Sequence, residues 1–148
     1  MNSSILSIRA YDAADCETLS AIWLDAALIA HAFIGEATLR EQRTLIEQHY
    51  LPQAETWVAC IDGIPVGFIS LLGDFVGGLF VAPQHQGHGI GRALIDRAKT
   101  LKSDLRLEVY TANTGAFDFY RKQGFVEVSR RNVDDQGLPF ENAHLRLT

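Results

Sequence analysis

An apolar strand that breaks into a glycine-rich turn and restarts as an amphipathic helix restricts this chain more than any other feature. Residues 79–94 read Leu-Phe-Val-Ala-Pro-Gln-His-Gln-Gly-His-Gly-Ile-Gly-Arg-Ala-Leu. A strand followed at once by such a helix opens a strand–helix–strand unit, whose two strands lie parallel. Gly87, Gly89 and Gly91 carry no Cβ, so the backbone can approach a ligand and turn its N–H groups inward. The helix that follows adds unpaired N–H groups and the positive end of its dipole. The combination suits an anion, most often a phosphate.

Spacing removes two familiar phosphate loops. A dinucleotide fingerprint needs G-x-G-x-x-G, but counting from Gly87 the third position is Arg92, and counting from Gly89 it is Leu94. A Walker loop needs Gly-Lys before Ser or Thr, and the sequence has no Gly-Lys pair. Composition excludes further classes. The 148 residues are 47% hydrophobic and 21% charged, which fits one domain, 1–148, with its own core. No apolar run nears the roughly 20 residues of a membrane span. Met1–Arg9 lacks the basic start and cleavage site of a secretory signal, so a cytoplasmic protein is expected, with Cys16 and Cys60 as buried thiols rather than a disulfide framework. The net charge of −5 argues against a nucleic-acid partner and is compatible with a cationic substrate such as an amine.

The periodicity predicts an order of elements. Ile5–Ala10 reads as a short strand, and Asp12 as an N-cap. Leu19, Ile22, Trp23, Ala26, Ile29 and Ala30 recur at helical spacing. Gly35 interrupts, and Thr38-x-x-Glu41 reads as the capping box of a second helix ending near Tyr50, with Pro52 as its stop. Strands follow at 56–61, 64–72 and 75–82, the first two joined by the Asp62-Gly63 hairpin turn. The glycine loop opens a helix from Ile90 to Leu101. A strand at 105–110, a helix from Asn113 or Thr114 to Gly124, and strands at 125–131 and 143–147 complete the chain. The result is an α/β fold of order β-α-α-β-β-β-α-β-α-β-β, a mixed sheet with helices on both faces.

Two segments carry a resemblance. Gln86-x-x-Gly89-x-Gly91, after a strand and Val81-x-Pro83, resembles the acetyl-CoA loop of the GCN5-related N-acetyltransferases. Asn113-x-x-Ala116-x-x-Phe119-Tyr120-x-x-x-Gly124-Phe125 matches that family's second signature. The element order is also the family's, so the resemblance runs over nearly the whole chain from Ile8. It implies acetyl-CoA as co-substrate, an amine acceptor, no metal, and a homodimer as one possible assembly. It further implies that the pyrophosphate rests on Gln86, Gly87, His88, Gly89, Ile90, Gly91 and Arg92, and that the pantetheine arm pairs with the strand edge at Leu79, Phe80 and Val81. Asn113, Ala116, Phe119 and Tyr120 would border the cofactor, with Tyr120 beside the sulfur.

The chemistry then asks for an oxyanion donor, a base and an acid. A backbone N–H of Leu79 or Phe80 suits the first need. Tyr120, with an ordinary pKa near 10, suits the acid that protonates the leaving thiolate. An alkylamine must lose a proton before or during attack; Glu108, His31 and Asp74 are the candidate bases, and a water relay with no single base is equally open. The acceptor wall is expected in residues 23–35, where Trp23, His31 and Phe33 stand out. Trp23 and Phe33 also read as core, and the His31–Phe33 stretch resembles small stand-alone bacterial members of the YjaB type. His85 and His88 have a metal-like spacing without a third ligand, so they read as solvated loop residues. Two rival readings are a degenerate coenzyme A-binding regulatory domain, which Tyr120 and the complete loop disfavour, and a toxin acting on charged tRNA, which the acidic charge disfavours.

Overall fold

The Asp62-Gly63 turn shows how local chemistry places a strand. In the computed structural model, which describes residues 5–148, both residues take positive φ, 52° and 82°, as a two-residue hairpin needs. The turn joins β2 (Glu55–Ile61) to β3 (Ile64–Leu72). Along β2 the side chains alternate: Trp57 and Ala59 pack into one apolar cluster, Val58 and Cys60 into another. The two clusters are the two faces of one sheet.

That sheet has seven strands, ordered β1-β2-β3-β4-β5-β7-β6, where β1 is Leu6–Ala10, β4 Phe75–Val81, β5 Leu105–Tyr110, β6 Val126–Arg131 and β7 Asn142–Leu147. Only β4 and β5 run parallel. They are the strands joined through the glycine loop and its helix α3 (Ile90–Leu101). On one face α1 (Cys16–Ala30) and α2 (Glu36–Leu45) bury Leu19, Trp23, Ala27 and Leu39 against Val58 and Phe68. On the other, α3 and α4 (Thr114–Lys122) bury Leu94, Ile95 and Tyr120 against Ile69, Leu71 and Leu107. The expected order and the helices on both faces are therefore present.

Two departures from regular pairing shape the sheet's centre. Between β3 and β4 the register shifts, with Ser70 opposite Gly78 and Leu71 opposite Val76. Gly77 is left as an extra residue, a bulge that bends the strand. Between β4 and β5 only two pairs form, Phe75 with Arg106 and Val76 with Leu107. Beyond the bulge the two strands share no further pairs.

Several local expectations are corrected. Thr38 and Glu41 lie inside α2 and do not cap it. The helix starts at Glu36 behind Gly35, whose φ of 99° makes the turn that a residue with a Cβ resists. After Leu45 the helix widens into a π turn, Ile46–Tyr50. Asp12 forms its capping box with a 3₁₀ turn, Ala13–Asp15, that precedes α1. Ile29 is 68% exposed although it keeps the helical spacing. Cys60 is buried, but Cys16 is only partly so.

The two-sided core makes a prediction about stability. Phe68→Ala, which empties a fully buried site, should cost about 3–5 kcal/mol. Val128→Ala on the exposed strand β6 should change stability by no more than ~0.5 kcal/mol. Urea denaturation of the two variants beside the parent checks the difference.

Candidate active site

The loop between β4 and α3 is built by glycine. Gly87 and Gly89 both have φ near 80°, a conformation that side chains disfavour. Gln86 is held from the strand side, its Nε2 donating to the Val81 carbonyl at 3.1 Å. Gly89 is the N-cap of α3 and supplies no side-chain acceptor, so no capping side chain competes for the first N–H groups of the helix. Gly91 has a different task. A Cβ there would lie 3.2 Å from Phe119 Cζ, so this glycine lets α4 close onto α3. Arg92 is exposed, with only a loose 4.0 Å pair to Asp96. His88 is tied locally, its Nδ1–H donating to the His85 carbonyl at 3.0 Å. No cluster of three metal-ligating residues occurs among the described residues.

Loop, strand edge and second signature open on one cavity of about 1240 Å3. Leu79, Phe80 and Val81, the loop from Gln86 to Arg92 apart from His88, and Asn113, Ala116, Phe119 and Tyr120 all border it. So do His31 and Glu108. Asp74 does not; it pairs with Arg106 at 2.9 Å on the outside. The cavity enters the sheet where β4 and β5 part.

Tyr120 sits at the centre of this wall, 8% exposed, between the rings of Phe119 and Phe125. Burial pushes its phenol above the ordinary tyrosine value, so it stays protonated at neutral pH. Asn113 has two jobs. Its Oδ1 accepts the Ala116 N–H at 3.2 Å, capping α4, and its Nδ2 lies 3.2 Å from His31 Nε2. Because the amide oxygen faces the helix, the NH2 group faces the histidine. Nε2 must then accept, and the neutral ring carries its proton on Nδ1. Burial lowers the His31 pKa to about 4. Glu108 is engaged differently, by Arg131 at 2.8 Å.

The segment 23–35 is only partly what the sequence suggested. Trp23 is core, packed edge-on against Phe80, and also borders the cavity. Phe33 is 38% exposed and belongs to an aromatic group with His31, Tyr110 and Phe140. Exposed Ile29 and Leu45 also border the cavity. Among the bordering residues that escaped sequence reasoning are Tyr50, Tyr110, Asp134 and Asn142. Asp134 is 5% exposed; it accepts the Tyr110 hydroxyl at 2.8 Å and the N–H groups of Gln136 and Leu138. Asn142 Nδ2 donates to the carbonyls of Val133 and Phe140. Together they bind the β6–β7 loop to β5 at the cavity's edge. The one readable signal was Asp134-Asp-Gln-Gly137, an Asx-turn pattern.

Known proteins share this arrangement. A family described as acetyltransferase (GNAT) domain matches residues 52–127. The peptidyl-lysine N-acetyltransferase YjaB of Salmonella typhimurium strain LT2 is 38% identical over 137 residues, 92% of this chain and 94% of that protein. The solution structure of apo YjaB from Escherichia coli superposes with a TM-score of 0.88, 34% identity, and coverage of 96% of this chain and 97% of that one. The structure of YncA from Salmonella typhimurium with its cofactor acetyl-CoA shares the fold, at TM-score 0.70 and 22% identity over 97% of this chain and 93% of that one. A loop built for an anion, a parted sheet and a buried tyrosine on α4 thus occur here in a chain that belongs to the GCN5-related N-acetyltransferase family and is an N-acetyltransferase of that type.

Proposed function

We propose that this protein moves an acetyl group from acetyl-CoA to the primary amine of a lysine side chain in a peptide or protein, by direct attack with both substrates bound. The observation that carries this reading is the single cavity shared by the glycine loop, the edge of β4, Tyr120 and His31. The donor's pyrophosphate fits the backbone N–H groups of the loop and of the first turn of α3, with Arg92 adding charge. The amides of its arm fit the edge of Leu79–Val81, which β5 leaves unpaired. The lysine acceptor follows the named activity of YjaB from Salmonella typhimurium, and the net charge of −5 suits a cationic partner.

The reaction forms a C–N bond and breaks a C–S bond. The N–H of Phe80 or Leu79 polarises the thioester carbonyl. His31 is neutral in the folded protein, and its one basic nitrogen, Nε2, can accept a proton once it leaves the Asn113 amide. Its low basicity suits a proton made acidic by C–N bond formation, not one on a free ammonium. Glu108 is the weaker base candidate, because Arg131 already binds its carboxylate. Tyr120, whose buried phenol stays protonated at neutral pH, supplies a proton to the sulfur as the C–S bond breaks, and general acid assistance of this kind is worth roughly 10²–10⁴-fold.

The direct test is thiol release from acetyl-CoA with lysine peptides and a panel of other amines, beside a thermal shift with acetyl-CoA alone. Stabilisation by acetyl-CoA together with turnover on lysine peptides is expected; binding without turnover on any amine would refute transfer. Tyr120→Phe should lower kcat about 10²-fold or more with acetyl-CoA affinity unchanged, and an unaltered kcat would remove Tyr120 as the acid. His31 also links stability to pH. Its folded pKa of about 4 lies below the 6.5 of the unfolded chain, so the unfolded state binds more protons between these values. Its contribution is complete above pH 6.5 and declines as pH falls toward 4. Urea denaturation at pH 7 and pH 5 should show a smaller loss in His31→Gln than in the parent.

A further inference from the structure

Asn113 meets two demands with one amide, and only one of them concerns the helix. Its Oδ1 takes the Ala116 N–H at 3.2 Å, and a backbone N–H can only donate. The NH2 group is thereby turned to His31, where it lies 3.2 Å from Nε2. An amide NH2 also only donates. A proton on Nε2, in the other neutral tautomer or in the imidazolium, would set two donors against each other. The contact therefore selects the neutral ring with its proton on Nδ1.

No other hydrogen bond to the ring exists among the described residues. Phe33 and Tyr110 meet it edge to face, and the Tyr110 hydroxyl is given to Asp134. Burial, not a charged neighbour, sets the ring's basicity. Nδ1 has no partner in the protein, yet it is not shut from solvent, so water is open to its N–H. His31 closes α1 on one face of the sheet, and Asn113 opens α4 on the other. The bond between them joins the two faces at the cavity that both residues border. It directs the basic nitrogen to the start of the helix that carries Tyr120.

We propose that Asn113 is the positioning residue for His31 in acetyl transfer: its amide selects the tautomer in which Nε2, on the α4 side, is the basic nitrogen and Nδ1–H is left to water. An unguided neutral ring divides between two tautomers, and in the other one Nε2 already carries a proton and takes none from the amine. A neutral hydrogen bond is weak enough to be exchanged when the amine arrives. As the C–N bond forms, the amine's proton then passes to the Nε2 lone pair that the amide has released. The assignment rests on the acetyl transfer and the His31 base proposed above, and adds to them a residue that acts through the histidine.

The test uses the intact protein labelled with 15N-histidine, with acetyl-CoA and a lysine peptide at saturation for the kinetics. Asn113→Asp keeps the oxygen that caps α4 and replaces the donor by an acceptor. Asn and Asp cap equally well, so the Tm should not fall. In 15N spectra at pH 7 the parent's His31, identified by its loss in His31→Gln, should carry its proton on Nδ1. In Asn113→Asp, Nε2 should become protonated, and kcat should fall roughly 10²-fold or more. In the His31→Gln background the same change should cost little further, because residues that act as a unit are not additive. A role as helix cap alone would leave spectrum and kcat as in the parent. A direct contact with acetyl-CoA would lower activity equally in both backgrounds. Either result overturns the assignment while transfer by the parent stands, as does a parent protonated on Nε2. No transfer by the parent to any primary amine overturns both this assignment and the proposed function.

Discussion

The parting of β4 from β5 is the constraint on which the site depends. Two residue pairs hold the strands together, and then the bulge at Gly77 bends β4 away. A parallel sheet is normally covered on both faces and continuous. Here the gap opens the sheet's interior to a cavity, and it leaves the backbone N–H and C=O groups of Leu79–Val81 without a β5 partner. Such an edge is a hazard in an ordinary sheet; in this one it is the part that an extended, amide-bearing ligand can pair with.

Everything around the gap reads as support for it. On one face α3 starts at the loop without a side-chain cap, and Gly91 lets Phe119 of α4 close against it. On the other face α1 ends at His31, whose ring meets Asn113 of α4 across the cavity. Asn113 thereby ties the second signature to the acceptor side, capping a helix and orienting a histidine with one amide. The β6–β7 loop is bound over the same end by Asp134 and Asn142. The site is a meeting of both faces of the sheet where β4 and β5 part.

Legibility followed the range of the interactions. The hairpin at Asp62-Gly63, the loop at Gly87 and Gly89 and the cap at Asn113 were readable because each is settled by a few adjacent φ angles or one side-chain bond. Thr38 misled because capping-box spacing says nothing about a glycine three residues earlier that can turn the chain first. Ile29 misled because apolar spacing does not distinguish a core face from the rim of a cavity. Tyr50 carried no signal at all. Its place against Gly77 needs a π turn in one segment and a bulge in another, 27 positions apart in the sequence.

By itself, the sequence determined the donor side: a strand, a glycine loop and a helix in that order make an anion cradle wherever they fold, because the geometry is local to the backbone. It likewise determined which tyrosine follows the second signature. Only the tertiary structure decided the opposite wall of the cavity. His31, Tyr50, Asp134 and the β5 residues Glu108 and Tyr110 come from separate parts of the chain, and their neighbours, protonation and burial arise from packing across a parted sheet. Desolvation and hydrogen-bond partners are properties of that packing, and no run of adjacent residues encodes them.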